Sequence, residues 1–247
     1  MWNRVWRRRP WLTPAGVVLA LAVLVPPVGT LARQYVYVQA AQFAVLATLA
    51  PALIVLGAPW KKLIGAERLE RLANARSHRA PGMSSWLILV GNLALIVAWR
   101  LPVTVNALVR DPVLTVVEAA SLVTIGCALW LELAESPPFL PAISRPVRAL
   151  FAALPMWTIW ASAYIMAFSR TAWFSVFAHA TGGGLSIAVG QQVAAGILWA
   201  IPAVCCIPVV YFSLITWLRD SNYPDDELRR VPAVDSGLPR PPRGWRA

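Results

Sequence analysis

Six long apolar stretches dominate this chain, at residues 11–31, 36–58, 83–99, 113–133, 147–168 and 187–218. A hydrocarbon core about 30 Å thick needs ~20 apolar residues per helix, so each stretch reads as a membrane-spanning helix. The third is short and needs its flanks to complete a crossing. The last holds 32 residues, too many for one upright span and too few for two. Pro202 and Pro208 either kink it or leave its end projecting beyond the bilayer. The pattern predicts an all-α, polytopic transmembrane helix bundle of about six spans. Residues 1–10 form a basic N-terminus, 11–219 the membrane domain, and 220–247 a disordered tail rich in Pro, Arg and Asp.

Composition agrees. Of 247 residues, 58% are hydrophobic and 13% charged, against about 25% charged in an ordinary soluble domain. That is too little to cover a water-soluble surface, which excludes a soluble enzyme, a secreted disulfide scaffold and a disordered chain. The net charge of +11 sits beside the apolar runs instead of on one face of a domain, so it points to topology and not to nucleic acid. With the N-terminus in the cytoplasm, the inner segments carry 18 Lys and Arg: four at 4–9, six at 61–79, two at 145–148 and six at 219–246. The outer segments carry four, namely Arg33, Arg100, Arg110 and Arg170. This bias places both termini in the cytoplasm and requires an even number of spans. The first run is read as a retained anchor and not a cleaved signal peptide, because it is long for one and Pro26-Pro27 interrupts it. The segment containing AERLERLANAR reads as a basic, partly helical face at the anionic headgroups. Gly182 to Gly184 reads as an outer turn without the spacing of a phosphate loop.

Polar groups inside spans are costly, so their positions carry information. Gln39 and Gln42 lie one turn apart in the second run, and Asn92 and Arg100 lie in and just after the third. Thr115, Glu118 and Ser121 form one stripe on the fourth, and Gln191 and Gln192 open the sixth. Except for Asn92, these fall in the outer third of the bilayer. They read either as hydrogen-bonded glue between helices or as an outward-facing polar chamber formed by Gln39, Gln42, Arg100, Thr115, Glu118, Gln191 and Gln192. A carboxylate ~9 Å below the interface needs a cation, a proton or a partner, and Arg100 is the expected partner of Glu118.

Catalytic constellations are absent. His78 and His179 have no ligand partner at helical spacing, and no HExxH motif occurs. Cys127, Cys205 and Cys206 lie within apolar runs, and adjacent cysteines on a helix diverge by about 100°, so they do not chelate one ion together. Met156 and Met166, though soft enough for Cu(I), read as packing residues.

Three stretches in order carry a family resemblance. They are Gln39-Ala40-Ala41-Gln42-Phe43 leading into the run APALIVLGAP at 50–59, then DPVLTVVE at 111–118, then GQQVAAG at 190–196 followed by Ile197-Leu198-Trp199. Over about residues 35–219 the chain resembles the CtaG family of bacterial cytochrome c oxidase assembly factors. The resemblance implies a multi-pass protein of the bacterial plasma membrane, working with oxidase subunits or other assembly factors. Family members show histidine pairs, H-M-x-Q-H and H-x-x-E-H, whose i, i+4 spacing suits copper. Here Gln39 and Phe43 stand at the first pair and Thr115 and Ala119 at the second, while Gln42 and Glu118 are retained and Gly190 replaces an acidic residue. No copper site and no other cofactor is therefore expected. The expected function is help in assembling a respiratory oxidase, without enzymatic activity. The alternative is a small permease with an outward-facing polar chamber.

Overall fold

The computed structural model describes residues 9–60, 65, 67, 71, 83–169, 171–178 and 186–221. Most of the basic segment 61–79, both histidines, the glycine triplet and the tail beyond 221 lie outside the described residues. The described part is helical, and five helices are long and apolar enough to cross a membrane.

The first apolar run departs from the expected single span. It forms α1 (Leu12–Ala22) and α2 (Val28–Ala32), separated by a turn through Pro26-Pro27. Neither proline has an N–H to continue the helical ladder, so the run breaks there. It still crosses the bundle. Thr13 donates its hydroxyl to the Ile54 carbonyl at 3.0 Å, while residue 36 begins the next helix, so the chain between them travels that helix's full length. The backbones approach closely at Gly16, where an added Cβ would lie 2.8 Å from the Ala50 oxygen.

The second run is α3 (Val36–Leu56). Its central turn, Val45–Leu49, widens to π spacing just ahead of Pro51, which has no N–H to donate back to Ala47. Thr48 returns its hydroxyl to the Ala44 carbonyl at 2.6 Å. Next come α4 (Met83–Arg100) and the short α5 (Pro102–Arg110). The Asp111 side chain then caps α6 (Pro112–Leu133) by accepting from the Val113 N–H at 2.8 Å. Gly126 lets α6 rest on α3, since a Cβ there would fall 2.7 Å from Pro51 Cγ.

Helices α7 (Arg145–Phe168) and α8 (Ile187–Ser221) pack antiparallel, with Trp160 donating to the Trp199 carbonyl at 3.2 Å and Arg145 to the Thr216 carbonyl at 3.5 Å. The 35 residues of α8 run unbroken through Pro202 and Pro208. At 1.5 Å per residue it is roughly 50 Å long, well beyond a ~30 Å core. Among the described residues none after Val209 is buried, so its last turns lie at the edge of the bundle against the start of α7.

Side-chain clasps define two ends. At one, Trp60 donates to Ser136 Oγ at 2.6 Å, and Ser136 in turn donates to the Val55 carbonyl at 2.6 Å. The start of α1 and the finish of α8 share this end. At the other, Gln42 donates to the Val23 carbonyl at 2.7 Å, and Asn106 bonds Ser175 Oγ at 3.0 Å and the Val176 N–H at 3.1 Å. Two apolar clusters fill the interior, one near each end: Phe43, Leu46, Leu122, Ile159 and Leu198 in the first, and Val55, Leu89, Leu129, Phe151 and Met156 in the second. The outward faces are apolar as well, as at Val90, Val116 and Val204, which suits lipid as the surrounding solvent.

Candidate functional site

The most unusual feature of the interior is the Arg100 guanidinium. Arg100 ends α4 and is only 5% exposed. Its Nη1 donates to Gln39 Oε1 at 2.8 Å, and its Nη2 approaches Met166 Sδ at 3.8 Å. The Phe43 and Phe174 rings lie 5.2 Å and 5.0 Å from the guanidinium carbon, within cation–π range. Four segments therefore close on one cation: α3 through Gln39 and Phe43, α4 through Arg100 itself, α7 through Met166, and the 171–178 loop through Phe174. The Arg100 Nε has no hydrogen-bond partner.

Glu118, on α6, is 1% exposed. The expected direct pair with Arg100 is not what the structure contains. Arg100 turns its two terminal nitrogens to Gln39 and Met166, and Glu118 Oε1 has no hydrogen-bond partner. The two side chains still act on each other electrostatically. The reason is geometric: one turn of α3 places an amide oxygen and an aromatic face together against the end of α4, and the planar guanidinium uses both.

Gln39, Gln42, Thr115 and Glu118 line a common crevice, with Arg33 at the same opening. Its volume is ≈ 10 Å³, about enough for one water molecule. Within it Gln42 is committed to the Val23 carbonyl, Thr115 reaches the Leu108 carbonyl at 3.4 Å, and Gln39 Nε2 is unbonded. Ser121, on the same stripe in the sequence, instead accepts from Trp99 Nε1 at 3.0 Å and ties α6 to α4.

The two adjacent glutamines of α8 part company. Gln191 is buried and clasps the 169–173 turn: its Oε1 accepts from the Trp173 N–H at 2.6 Å, and its Nε2 donates to the Ser169 and Thr171 carbonyls at 3.4 and 3.2 Å. Gln192 is exposed and points off the bundle. Neither lines the crevice. Sequence reasoning missed Phe174 and Arg33. Both sit outside the long spans, where no periodicity marks an inward-facing position.

A family model described as cytochrome c oxidase caa3 assembly factor (Caa3_CtaG) matches residues 1–220. The chain belongs to that family. No curated protein and no solved structure matches it. Membership in this assembly-factor family gives the buried guanidinium a particular setting. The two α3 positions at which the resemblance placed a histidine pair, Gln39 and Phe43, are the two that hold Arg100 in this Caa3_CtaG protein. The corresponding α6 positions, Thr115 and Ala119, face a backbone carbonyl and the apolar core respectively.

Proposed function

We propose that this chain assists assembly of a respiratory cytochrome c oxidase in the bacterial plasma membrane, as a scaffold that ligates no copper ion at its polar site. The observation that carries this reading is the Arg100 cage. A guanidinium already lies against Gln39, Phe43, Met166 and Phe174, and like charges a few ångströms apart repel strongly where the dielectric is low. Of the remaining donors, the amide and the carboxylate are too hard for Cu(I), and the one soft ligand, the Met166 thioether, already faces Arg100. A permease finds less support, since the crevice has room for about one water and its glutamines are engaged with backbone or with Arg100. Partners are oxidase subunits or other assembly factors, reached within the bilayer.

Two experiments test this. Membranes from cells lacking the chain should show less assembled, active oxidase, restored by the wild-type chain and not by added copper salts. The purified protein should retain well under one equivalent of Cu(I) against a competing chelator. Stoichiometric copper, or normal oxidase without the chain, overturns the reading.

The orientation proposed is both termini in the cytoplasm, with the Arg100 end outside, and the 18-to-4 partition of basic residues supports it. Single cysteines in a cysteine-free background should confirm it. Positions 71 and 236 should react with an impermeant maleimide only after the membrane is opened, and positions 106 and 181 in intact spheroplasts. Labelling of 181 only after opening overturns the six-crossing path.

A further inference from the structure

A cavity lies at the opposite end from Arg100. It has a volume of ≈ 490 Å³ and runs between α1, α3, α6 and α8. Leu49, Leu53 and Leu56 line it from successive turns of α3, so it extends about 10 Å along the helix axis. Its lining side chains are apolar except Arg9 and Glu135, both exposed. Val204 also lines it and is itself 74% exposed on the outward face of α8, which makes the cavity open sideways to the membrane.

Three features narrow the occupant. The lateral opening and apolar wall admit something dissolved in the bilayer, not in water. The volume is that of a single small ligand, whereas a helix about 10 Å across would fill it in little more than one turn. The cation at the rim is Arg9, which follows Arg7 and Arg8 in the sequence. The opposing Glu135 charge interacts electrostatically with Arg148. An arginine at the mouth of an apolar cleft between spans suits an anionic lipid headgroup.

We propose that this cavity binds an anionic phospholipid, one acyl chain lying along Leu49, Leu53 and Leu56 and the phosphate against Arg9. The inference is independent of the oxidase reading, since nothing in it depends on the Arg100 site.

The test uses the full-length protein in phosphatidylcholine vesicles doped with phosphatidylglycerol carrying a photoactivatable group midway along one acyl chain, with adducts mapped by mass spectrometry. Adducts should concentrate on residues 49–56 and 204–209 over the lipid-facing Val90 and Val97 of α4. A phosphatidylcholine probe with the same acyl chain should label the cavity less. Arg9→Gln should cut the preference for phosphatidylglycerol about fivefold, the factor that one basic residue near an anionic headgroup supplies. Leu53→Trp, which fills the cavity, should remove the cavity adducts and leave those on α4 unchanged. Even labelling over all outward faces, equal labelling by both probes, or cavity adducts that persist in Leu53→Trp overturns the proposal. So does a cavity closed to both lipids and cross-linked instead to the chain's own residues 1–8 or to a second protein.

Discussion

Arg100→Met should be the most damaging single substitution in the membrane part of this protein, costing about 3–5 kcal/mol of stability. Methionine keeps the length and apolar stem of the side chain, so packing against Phe43 and Phe174 largely survives. The charge does not. Gln39 Oε1 loses its donor, both aromatic faces lose their cation, and Glu118 loses the opposite charge that offsets its burial. Breaking a buried charge arrangement from one side is far worse than removing it from both. The double variant Arg100→Met with Glu118→Gln should therefore recover part of the loss, since no lone charge remains. Arg100→Lys should fall between, because an ammonium retains the charge but lacks the planar fork that reaches Gln39 and Met166 together. Equilibrium unfolding in detergent of the wild type, the two single variants and the double variant measures this directly. Strict additivity of the single effects would show that Arg100 and Glu118 are uncoupled. If the cage also serves assembly, oxidase activity should follow the folded fraction across the series.

Gln191→Leu should cost about 2–3 kcal/mol and loosen one end of the bundle, while the same change at its neighbour Gln192 should stay within about 0.5 kcal/mol of wild type. Gln191 holds three backbone groups of the 169–173 turn, and leucine satisfies none of them. That turn leads into Phe174, which packs on the Arg100 guanidinium, so the disturbance should reach the cage. Limited proteolysis reads the difference: cleavage within 171–178 should accelerate in Gln191→Leu and remain at the wild-type rate in Gln192→Leu. Equal protection in both variants would mean that the clasp does not order the turn.

The helical architecture was legible in the sequence because the bilayer leaves few alternatives. Every backbone N–H and C=O within the hydrocarbon must be paired, so a run of ~20 apolar residues has little choice but a helix. Five of the six runs became long helices on those grounds, and the motifs at 39–59, 111–118 and 190–199 were enough to indicate the family. The first run shows where hydropathy stops. Average apolarity cannot register that Pro26 and Pro27 remove two adjacent donors, and there the helix divides.

The candidate site was half legible. Helical spacing brought Gln39 and Gln42 to one face and put Thr115 and Glu118 on another, and the structure joins these four in one crevice. Which of them Arg100 would choose was not in the spacing. Its partners Gln39 and Met166 lie 61 and 66 positions away in the chain, and a long flexible side chain at a helix end can reach several acceptors. Only the packing of α3, α4 and α7 against the Phe174 loop decided for the glutamine and the thioether over the carboxylate. Likewise Gln191 and Gln192 are equivalent in composition and nearly so in position. The rotation of α8 about its own axis, fixed by burying Ala194, Ala195 and Leu198 against the core, turned one inward as a clasp and the other outward. Length and polarity are local and survive in a one-dimensional string; the direction of a side chain around a helix and the reach of a guanidinium are settled only when helices distant in sequence are pressed together.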